Sequence, residues 1–165
     1  MISVGEAWDA AIRTEGENAY PQECCGILLG VITGSRESSG GELIKRVEET
    51  IPVVNAWEPE EQYHRFKIDP EDLMKAEFAA RKRGQEVLGF YHSHPDHPAQ
   101  PSDYDRDSAL PFYSYIILGV ERGKAAELTS WELTEKRQFR EELVIRREYG
   151  GNDFNSHGSA EFYGP

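Results

Sequence analysis

The sequence predicts an α/β fold in which a curved mixed sheet is flanked by two helices plus a short acidic helix. The order of the elements carries this prediction: a helix, several strands, a second helix, a strand, the short helix and several more strands. There are no internal repeats and no glycine-rich loop of the kind that binds phosphates. We expect one domain over residues 1–149 with a modest core, followed by a flexible tail over residues 150–165.

Composition restricts the classes of partner. Hydrophobic residues make up 38% of the chain, no apolar run approaches the length of a membrane span, and the N-terminus lacks the basic and apolar blocks of a signal peptide. We therefore expect a cytoplasmic protein with no membrane partner. The net charge of −12 argues against a nucleic-acid partner, since phosphate binding needs a basic surface. Composition leaves the oligomeric state open, and a homodimer is compatible with it.

The chain opens with a predicted helix. Ser3 and Glu6 have the spacing of a capping box, and Gly16 is placed to end the helix. One side of the helix is apolar at helical spacing and consists of Val4, Ala7, Trp8, Ala11 and Ile12.

A buried strand is predicted over residues 24–32, a continuous apolar run with Glu23 at its head. Cys24 and Cys25 are the two cysteines of the chain. Adjacent strand residues face opposite ways, so a disulfide scaffold is excluded. As a nucleophile, either cysteine would need a histidine partner that lowers its pKa. Because the histidines fit a metal site better than a cysteine-based one, we interpret both cysteines as small buried strand residues.

The middle of the chain contains loop and strand signals. Residues 33–41 are rich in glycine and serine and predict a hairpin loop, whereas residues 42–47 and 51–54 are strand-like. Residues 56–62 are acidic and contain a proline, so we expect an exposed loop there. Residues 63–68 alternate in polarity, which predicts another strand.

A second helix is predicted between Asp69, which is a good N-cap, and Gly84, which is a good stop. Three further strands are predicted in the second half of the chain, after the short acidic helix. They cover residues 112–120, 126–133 and 139–145.

The strongest functional signal follows a predicted strand over residues 87–91, which is apolar and β-prone and runs into His92. Side chains alternate along a strand, so His92 and His94 point the same way. Pro95 then ends the ladder of hydrogen bonds, because it has no N–H to donate.

Ser102 is a good N-cap for a short acidic helix over residues 103–109. On that turn, Ser102 and Asp105 are three residues apart and can face one point. Two imidazoles, one carboxylate and a neighbouring hydroxyl would then converge. Three protein ligands with a fourth position left to water are typical of a catalytic zinc site. The sequence therefore predicts one Zn²⁺ per chain, held by His92, His94 and Asp105.

A lone His-x-His pair is common in half-buried strands that bind no metal. The complete pattern here is far more specific: His-Ser-His-Pro, six residues, Ser, two residues and Asp. His97 lies in a segment typical of a solvated turn, and His64 has no partner at ligand spacing. We therefore include neither of them in the predicted site.

Together with Glu23, this pattern resembles that of the JAMM (MPN-plus) zinc metalloproteases. The matching residues are His92, Ser93, His94, Pro95, Ser102 and Asp105. The resemblance covers roughly residues 3–145 and looks most like the compact prokaryotic members. Supporting residues are Tyr20-Pro21, the run Cys-Gly-Ile-Leu-Leu-Gly at 25–30, Pro52 to Asn55, and Phe66 before Asp69-Pro70. The resemblance implies the cytidine-deaminase-like MPN sandwich as the fold.

The resemblance also implies a function: hydrolysis of the peptide or isopeptide bond after the C-terminal Gly-Gly of a ubiquitin-like or sulfur-carrier protein. It implies that His92, His94 and Asp105 bind zinc. It further implies that Glu23 is the general base and later the acid, and that Ser102 supports the oxyanion. Ser93 faces away from the metal and is expected to be structural. The choice among ubiquitin-like carriers needs genomic context.

Two other classes of function compete with this interpretation. Relatives that have lost the zinc ligands are non-catalytic interaction scaffolds, but here every ligand position and the base are filled. A different zinc amide hydrolase or a phosphoesterase could also use His-x-His, although amidohydrolase barrels need ~250 residues. Metal content tests the first alternative. Activity on a small amide or phosphate ester, with none on a Gly-Gly fusion, tests the second.

Overall fold

The computed structural model describes residues 1–34 and 42–147. The strands in this part of the chain are β1 Ile2–Gly5, β2 Cys25–Thr33, β3 Ile44–Val53, β4 Glu86–Pro95, β5 Ser114–Glu121, β6 Lys124–Leu133, β7 Phe139–Glu142 and β8 Val144–Arg147. The helices are α1 Glu6–Ala19, α2 Pro70–Lys82 and α3 Asp103–Ser108, with a 3₁₀ turn at Pro59–Glu61. The strands form one mixed sheet in the order β7-β6-β5-β4-β2-β3-β1-β8, which confirms the predicted fold class. No helix among these residues is long and apolar enough to cross a membrane.

The sheet is strongly curved, because its two edge strands are neighbours in the sequence. β7 pairs with β6 at one edge, and β8 pairs in parallel with β1 at the other. Leu143 alone separates β7 from β8, so the two edges approach each other. The single strand predicted over residues 139–145 is therefore wrong. The chain leaves one edge of the sheet and joins the other at Leu143, which is exposed.

α1 and α2 pack on opposite faces of the sheet. Leu28 of β2 belongs to the same buried cluster as Ile12 of α1. Its neighbours Ile27 and Leu29 belong instead to a cluster with Ala76 of α2. Alternate residues of a strand face opposite ways, so each of these helices covers one face of the sheet. The two flanking helices of the prediction are thus confirmed.

The central strands also agree with the prediction. β2, β5 and β6 coincide within a few residues with the strands predicted over 24–32, 112–120 and 126–133. β3 joins the pieces predicted over 42–47 and 51–54 into one strand, which pairs along its length with β2. Most of the hairpin loop predicted between β2 and β3 lies outside the described residues, as does the predicted tail.

α2 begins and ends as the sequence predicts. The Asp69 carboxylate accepts a hydrogen bond from the N–H of Glu71 at 2.8 Å, and Pro70 occupies the first helical position. Just beyond the end of the helix, Gly84 has a φ of +69°, a left-handed conformation that glycine adopts without strain.

Residues 63–68 form a loop, so the strand predicted there is wrong. Their backbone groups bind one side chain. Asn55 donates from Nδ2 to the carbonyl of Arg65 at 2.8 Å and accepts at Oδ1 from the N–H of Lys67 at 3.1 Å. The N–H of Ala56 donates to the carbonyl of Lys67 at 2.9 Å. An amide side chain thus takes the place of the neighbouring strand that the alternation predicted.

α1 begins later than predicted, because the first residues form β1. Ser3 is buried in that strand, opposite Arg46 of β3 and Ile145 of β8. The predicted capping box between Ser3 and Glu6 is therefore wrong. Gly5 occupies the N-cap position, and no side chain caps the helix.

Gly16 does not end α1 but lets the helix approach the sheet. The helix continues to Ala19, so the predicted stop is wrong. A Cβ atom at Gly16 would lie 2.6 Å from Cδ2 of Leu118 and 3.2 Å from Cγ2 of Val120. The absence of a side chain therefore allows close packing of α1 against β5.

Gly16→Val is expected to lower the free energy of unfolding by about 2 kcal/mol, because the added side chain overpacks the contact with Leu118 and Val120. Helix propensity acts in the opposite direction, since glycine costs about 1 kcal/mol relative to alanine inside a helix. Ala10→Val, on the exposed side of α1, is the matched control and should cost less than about 1 kcal/mol. Urea unfolding measures both variants. Equal effects would contradict the packing role of Gly16.

Candidate metal centre

His92 and His94 lie at the C-terminal end of β4, an internal strand between β2 and β5. His92 lies opposite Cys25 of β2 and Ile117 of β5, and both histidines are buried. Because they are two residues apart, their rings project to the same side of the sheet, as the sequence predicts. Their Nε2 atoms are 3.0 Å apart. The strand therefore presents two imidazole nitrogens at one point.

α3 begins with the predicted cap. Oγ of Ser102 accepts a hydrogen bond from the N–H of Asp105 at 3.1 Å. In return, Oδ2 of Asp105 accepts hydrogen bonds from the N–H and the hydroxyl of Ser102 at 2.7 and 2.6 Å. This capping box places Oδ1 of Asp105 3.4 Å from Nε2 of His92, and Oδ2 3.6 Å from Nε2 of His94. The three predicted ligand residues and the predicted hydroxyl are thus brought together.

The three side chains lie close enough together to share one zinc ion. Zinc bonds to imidazole nitrogen and carboxylate oxygen are about 2.0–2.2 Å long, which places neighbouring ligands of a tetrahedron about 3.3–3.6 Å apart. The two Nε2 atoms are 3.0 Å apart, Oδ1 of Asp105 lies 3.4 Å from Nε2 of His92, and Oδ2 of Asp105 lies 3.6 Å from Nε2 of His94. Within residues 1–34 and 42–147, this is the one group of three or more histidine, cysteine or acidic side chains that converges in this way. The residues present therefore fit a zinc ion.

Surrounding residues orient the two imidazoles. Nδ1 of His94 lies 2.9 Å from the carbonyl oxygen of Pro98, which can only accept, so Nδ1 carries the proton. Nε2 of His94 then keeps its lone pair for a metal. The ring of His92 is held by stacking on Phe66, with ring centroids 4.3 Å apart. Its Nδ1 is buried and has no hydrogen-bond partner among the residues described.

Electrostatics favour an anionic carboxylate beside the imidazoles. Burial opposes the charge of Asp105, but the charge of His92 and hydrogen bonds with His92, His94 and Ser102 outweigh it and hold the pKa of Asp105 well below its usual range. Burial lowers the pKa of His92, which favours the neutral ring that binds metals. Burial also acts against the charge on His94, but hydrogen bonds with Asp105 and Pro98 outweigh it and raise the pKa of His94.

Glu23 lies two residues before the start of β2, is buried and lines the cleft beside this group. The cleft has a volume of about 530 Å³, and its lining also includes His94, Ser102 and Asp105. The backbone of Glu23 is held by a hydrogen bond from its N–H to the carbonyl of Gln62 at 2.7 Å. Burial raises the pKa of Glu23 to about 8. A carboxyl group that titrates near neutral pH is suited to proton transfer, and Glu23 lies outside the converging ligand group.

Ser93, between the two histidines, ties β4 to the segment that carries Glu23. Its Oγ accepts a hydrogen bond from the N–H of Cys24 at 2.9 Å. Its own N–H donates to the carbonyl of Cys24 at 3.1 Å. Ser93 is buried on the side of the strand away from the histidine rings and fixes the residue after Glu23, in agreement with the predicted structural role.

Cys24 and Cys25 are free and buried. Burial raises the pKa of Cys24 to about 12 and also raises the pKa of Cys25. Neither thiol is therefore ionised near neutral pH, which a nucleophile would require. Their interpretation as small buried residues is confirmed.

His64 and His97 line the cleft but do not belong to the ligand group. Both are exposed. His64 lies in the loop that replaces the predicted strand, where its ring contacts Tyr63 at a centroid distance of 4.2 Å. The exclusion of both histidines from the predicted site agrees with these positions.

The sequence did not indicate which side chains of the loop between β3 and α2 shape the cleft. Asn55 donates from Nδ2 to the carbonyl of Glu23 at 3.3 Å as well as to that of Arg65. Arg65 lines the cleft and lies over the ring of Tyr104 on α3. Alternation of polarity contains no information about contacts across to α3. The available signal was an asparagine directly after a strand, a residue type that often binds backbone groups of a loop.

Two relatives show what this chain resembles. A desampylase from Haloferax volcanii is 36% identical over 118 residues, which are 70% of this chain and 76% of that protein. A probable TtuB-protein conjugate cleaving protease from Thermus thermophilus is 35% identical over 124 residues, covering 67% of this chain and 82% of that protein.

The fold and the family model agree with these relatives. The solution structure of a protein from Desulfitobacterium hafniense matches with a TM-score of 0.73 at 28% identity, over 95% of this chain and 100% of that one. Residues 6–134 match the family model described as prokaryotic homologs of the JAB domain, and this range contains the complete site. The chain therefore belongs to the prokaryotic JAB-domain branch of the JAMM hydrolases.

Proposed function

We propose that this protein is a zinc-dependent hydrolase that cleaves the peptide or isopeptide bond after the C-terminal Gly-Gly of a ubiquitin-like or sulfur-carrier protein. The observation that carries the proposal is the convergence of His92, His94 and Asp105, with the buried Glu23 on the same cleft. The relatives support the class of substrate. One is named a desampylase and another is named for cleaving TtuB-protein conjugates.

His92, His94 and Asp105 would hold the zinc ion. When bound, zinc would act as a Lewis acid that polarises the scissile carbonyl and makes water a better nucleophile near pH 7. These ligands are preorganised. The carbonyl of Pro98 determines the tautomer of His94, and Ser102 orients the carboxylate of Asp105. The ligand side chains are therefore already ordered in the folded protein, so zinc binding would lose little conformational entropy.

Glu23 would move the proton. Its carboxylate can accept a proton from the attacking water and return it to the leaving amine. Because burial raises its pKa to about 8, both the acid and the base form are populated near neutral pH. The carboxylate form, which is the base, becomes dominant as the pH rises through this value.

The role of Ser102 as an oxyanion donor stays a prediction. In the structure its hydroxyl donates to Oδ2 of Asp105 at 2.6 Å, so its hydrogen is already in use. Donation to a substrate oxyanion requires that hydroxyl to turn away from Asp105. Such a turn needs rotation about one side-chain bond only. Ser102 lines the cleft, so the rotated hydroxyl would remain inside it.

The burial of the site supports glycine at the cut. Glu23, His94 and Asp105 are all buried, so the scissile carbonyl must approach the walls of the cleft closely. Glycine permits that approach because it has no Cβ atom. An extended tail can add main-chain hydrogen bonds along an exposed strand edge.

His94→Ala is expected to abolish zinc binding, because two remaining ligands make a poor site. Wild type should hold one zinc ion per chain after reconstitution and removal of excess metal, as measured by elemental analysis. His97→Ala is the matched control, because His97 lies nearby, is exposed and is outside the ligand group. Equal, near-zero zinc in wild type and His94→Ala would refute the site and favour a non-catalytic scaffold.

Glu23→Gln is expected to keep the metal and the fold while hydrolysis of a Gly-Gly fusion falls at least ~100-fold, because an amide cannot accept the proton. Glu60→Gln, in the exposed 3₁₀ turn, is the control and should cleave at the wild-type rate. Products are followed by intact mass. A near wild-type rate for Glu23→Gln would remove Glu23 from the mechanism, and loss of zinc would make it a ligand.

Replacing the last glycine of a carrier by valine is expected nearly to abolish cleavage, because the new side chain meets the walls around the buried site. Docking of the folded carrier, measured as binding to the inactive Glu23→Gln protein, should change little. The expected product from the unmodified carrier is a free Gly-Gly carboxylate. Equal cleavage of both carriers, or cutting at an internal bond, would leave a general metallopeptidase instead.

A further inference from the structure

Arg65 is the one lysine or arginine among the described residues that line the cleft. It belongs to the loop between β3 and α2, and 34% of its side chain is exposed. Its charge reaches the reacting groups, because it lowers the pKa of Glu23 against the larger effect of burial. The mechanism proposed above gives this cation no role.

Aromatic rings hold the guanidinium of Arg65. Its Cζ lies 4.8 Å from the ring centroid of Tyr104 and 5.8 Å from that of Trp57. These two rings contact each other edge to face at 5.3 Å. The amide of Asn55 fixes the backbone by donating to the carbonyl of Arg65 at 2.8 Å. Stacking orients the plane of a guanidinium while it leaves the N–H groups free to bind a ligand.

The guanidinium of Arg65 makes an ion pair with Glu61 but no hydrogen bond within the described part of the chain. The nearest acid is Glu61, whose Oε2 lies 3.7 Å from Nε of Arg65, too far for a hydrogen bond. The same Oε2 already accepts a hydrogen bond from Nε1 of Trp57 at 2.9 Å. Nε of Arg65 is buried without a hydrogen-bond partner. A half-buried cation with free donors, held beside a catalytic centre, suits a ligand that supplies acceptor oxygens.

The charges of the two products indicate which part of the substrate lies next to Arg65. Cleavage leaves a carboxylate on one product and an amine, cationic at neutral pH, on the other. A guanidinium attracts the acceptor oxygens of the first product and repels the second. We therefore propose that Arg65 is a substrate-binding residue that binds the main-chain oxygens of the Gly-Gly tail, and so determines the direction in which the substrate lies in the cleft. This inference rests on the proposed function.

Binding of a tail peptide tests the inference without turnover. A labelled peptide that ends in a Gly-Gly carboxylate is titrated into zinc-loaded Glu23→Gln protein, and its fluorescence anisotropy is followed. Adding Arg65→Met should raise the Kd at least ~10-fold, as expected for the loss of charge-assisted hydrogen bonds. Arg46→Met is the matched control, since Arg46 also has an acidic neighbour, Glu48, but lies on β3 outside the cleft.

Arg65→Lys keeps the positive charge on a slightly shorter side chain but loses the planar fork of donors. It should weaken binding less than Arg65→Met and more than Arg46→Met. Zinc content and thermal unfolding are measured for each variant. Should Arg65→Met lose the metal or the fold, the lysine variant decides the question.

Steady-state kinetics of the active protein give a second readout. Arg65→Met should raise KM for a Gly-Gly fusion at least ~10-fold and leave kcat within ~3-fold. If Arg65 acted only on Glu23, its removal would raise the pKa of that carboxyl. The lower limb of the pH–rate profile would then move to higher pH with KM unchanged, and the inference would be overturned.

The two possible failures are distinguishable. In the first, the Glu23→Gln protein binds the peptide, and adding Arg65→Met or Arg65→Lys leaves the affinity equal to that measured with Arg46→Met. Arg65 then has no part in tail binding, and the proposed function stands. If the Glu23→Gln protein with Arg65 intact does not bind the tail peptide at all, the proposed class of substrate is wrong, and the assignment of Arg65 falls with it.

Discussion

His92, His94 and Asp105 are polar side chains that are buried next to one another. Removing them from water is unfavourable, and the surrounding hydrogen bonds offset this desolvation free energy. One ligand atom from each of His92, His94 and Asp105 lies within 4.8 Å of the other two. Buried polar groups are unfavourable unless each is paired. Ser102 donates two hydrogen bonds to Asp105, and Pro98 accepts one from His94. A cation at the centre would offset the remaining charge and use both Nε2 lone pairs, so metal binding would contribute to the stability of the fold as well as to the chemistry.

Each segment of the site carries both a candidate ligand and a residue that supports the surrounding structure. The strand alternation that points His92 and His94 toward Asp105 points Ser93 the other way. There Ser93 accepts a hydrogen bond from the N–H of Cys24, the residue that follows Glu23. The capping box likewise begins α3 and orients the carboxylate of Asp105. The converging side chains and the residues that support them alternate along the chain, so a few neighbouring positions determine both the candidate metal site and the position of Glu23.

The convergence of His92, His94 and Asp105 could be predicted from the sequence, because alternation along a strand and spacing at a helix N-terminus are local properties. Glu23 carried no local signal, and only the family resemblance assigned its role. The predictions that failed depend on distant partners. Ser3 has a good cap spacing, but pairing of β1 with β3 and β8 outweighs it. Residues 63–68 alternate in polarity, but Asn55 binds their backbone groups as a loop. Gly16 resembles a stop signal, although the nearness of Leu118 explains it.

Asn55 connects recognition with proton transfer. Its single Nδ2 donates to the carbonyl of Glu23 at 3.3 Å and to the carbonyl of Arg65 at 2.8 Å. The first residue is the proposed base, and the second is the proposed contact for the substrate tail. The backbone at Arg65 therefore cannot shift relative to Glu23 without disturbing one of these two bonds. Asn55 thus fixes the backbone of the residue proposed to bind the tail relative to the backbone of the proposed base, and such positioning favours transfer of a proton at the scissile bond.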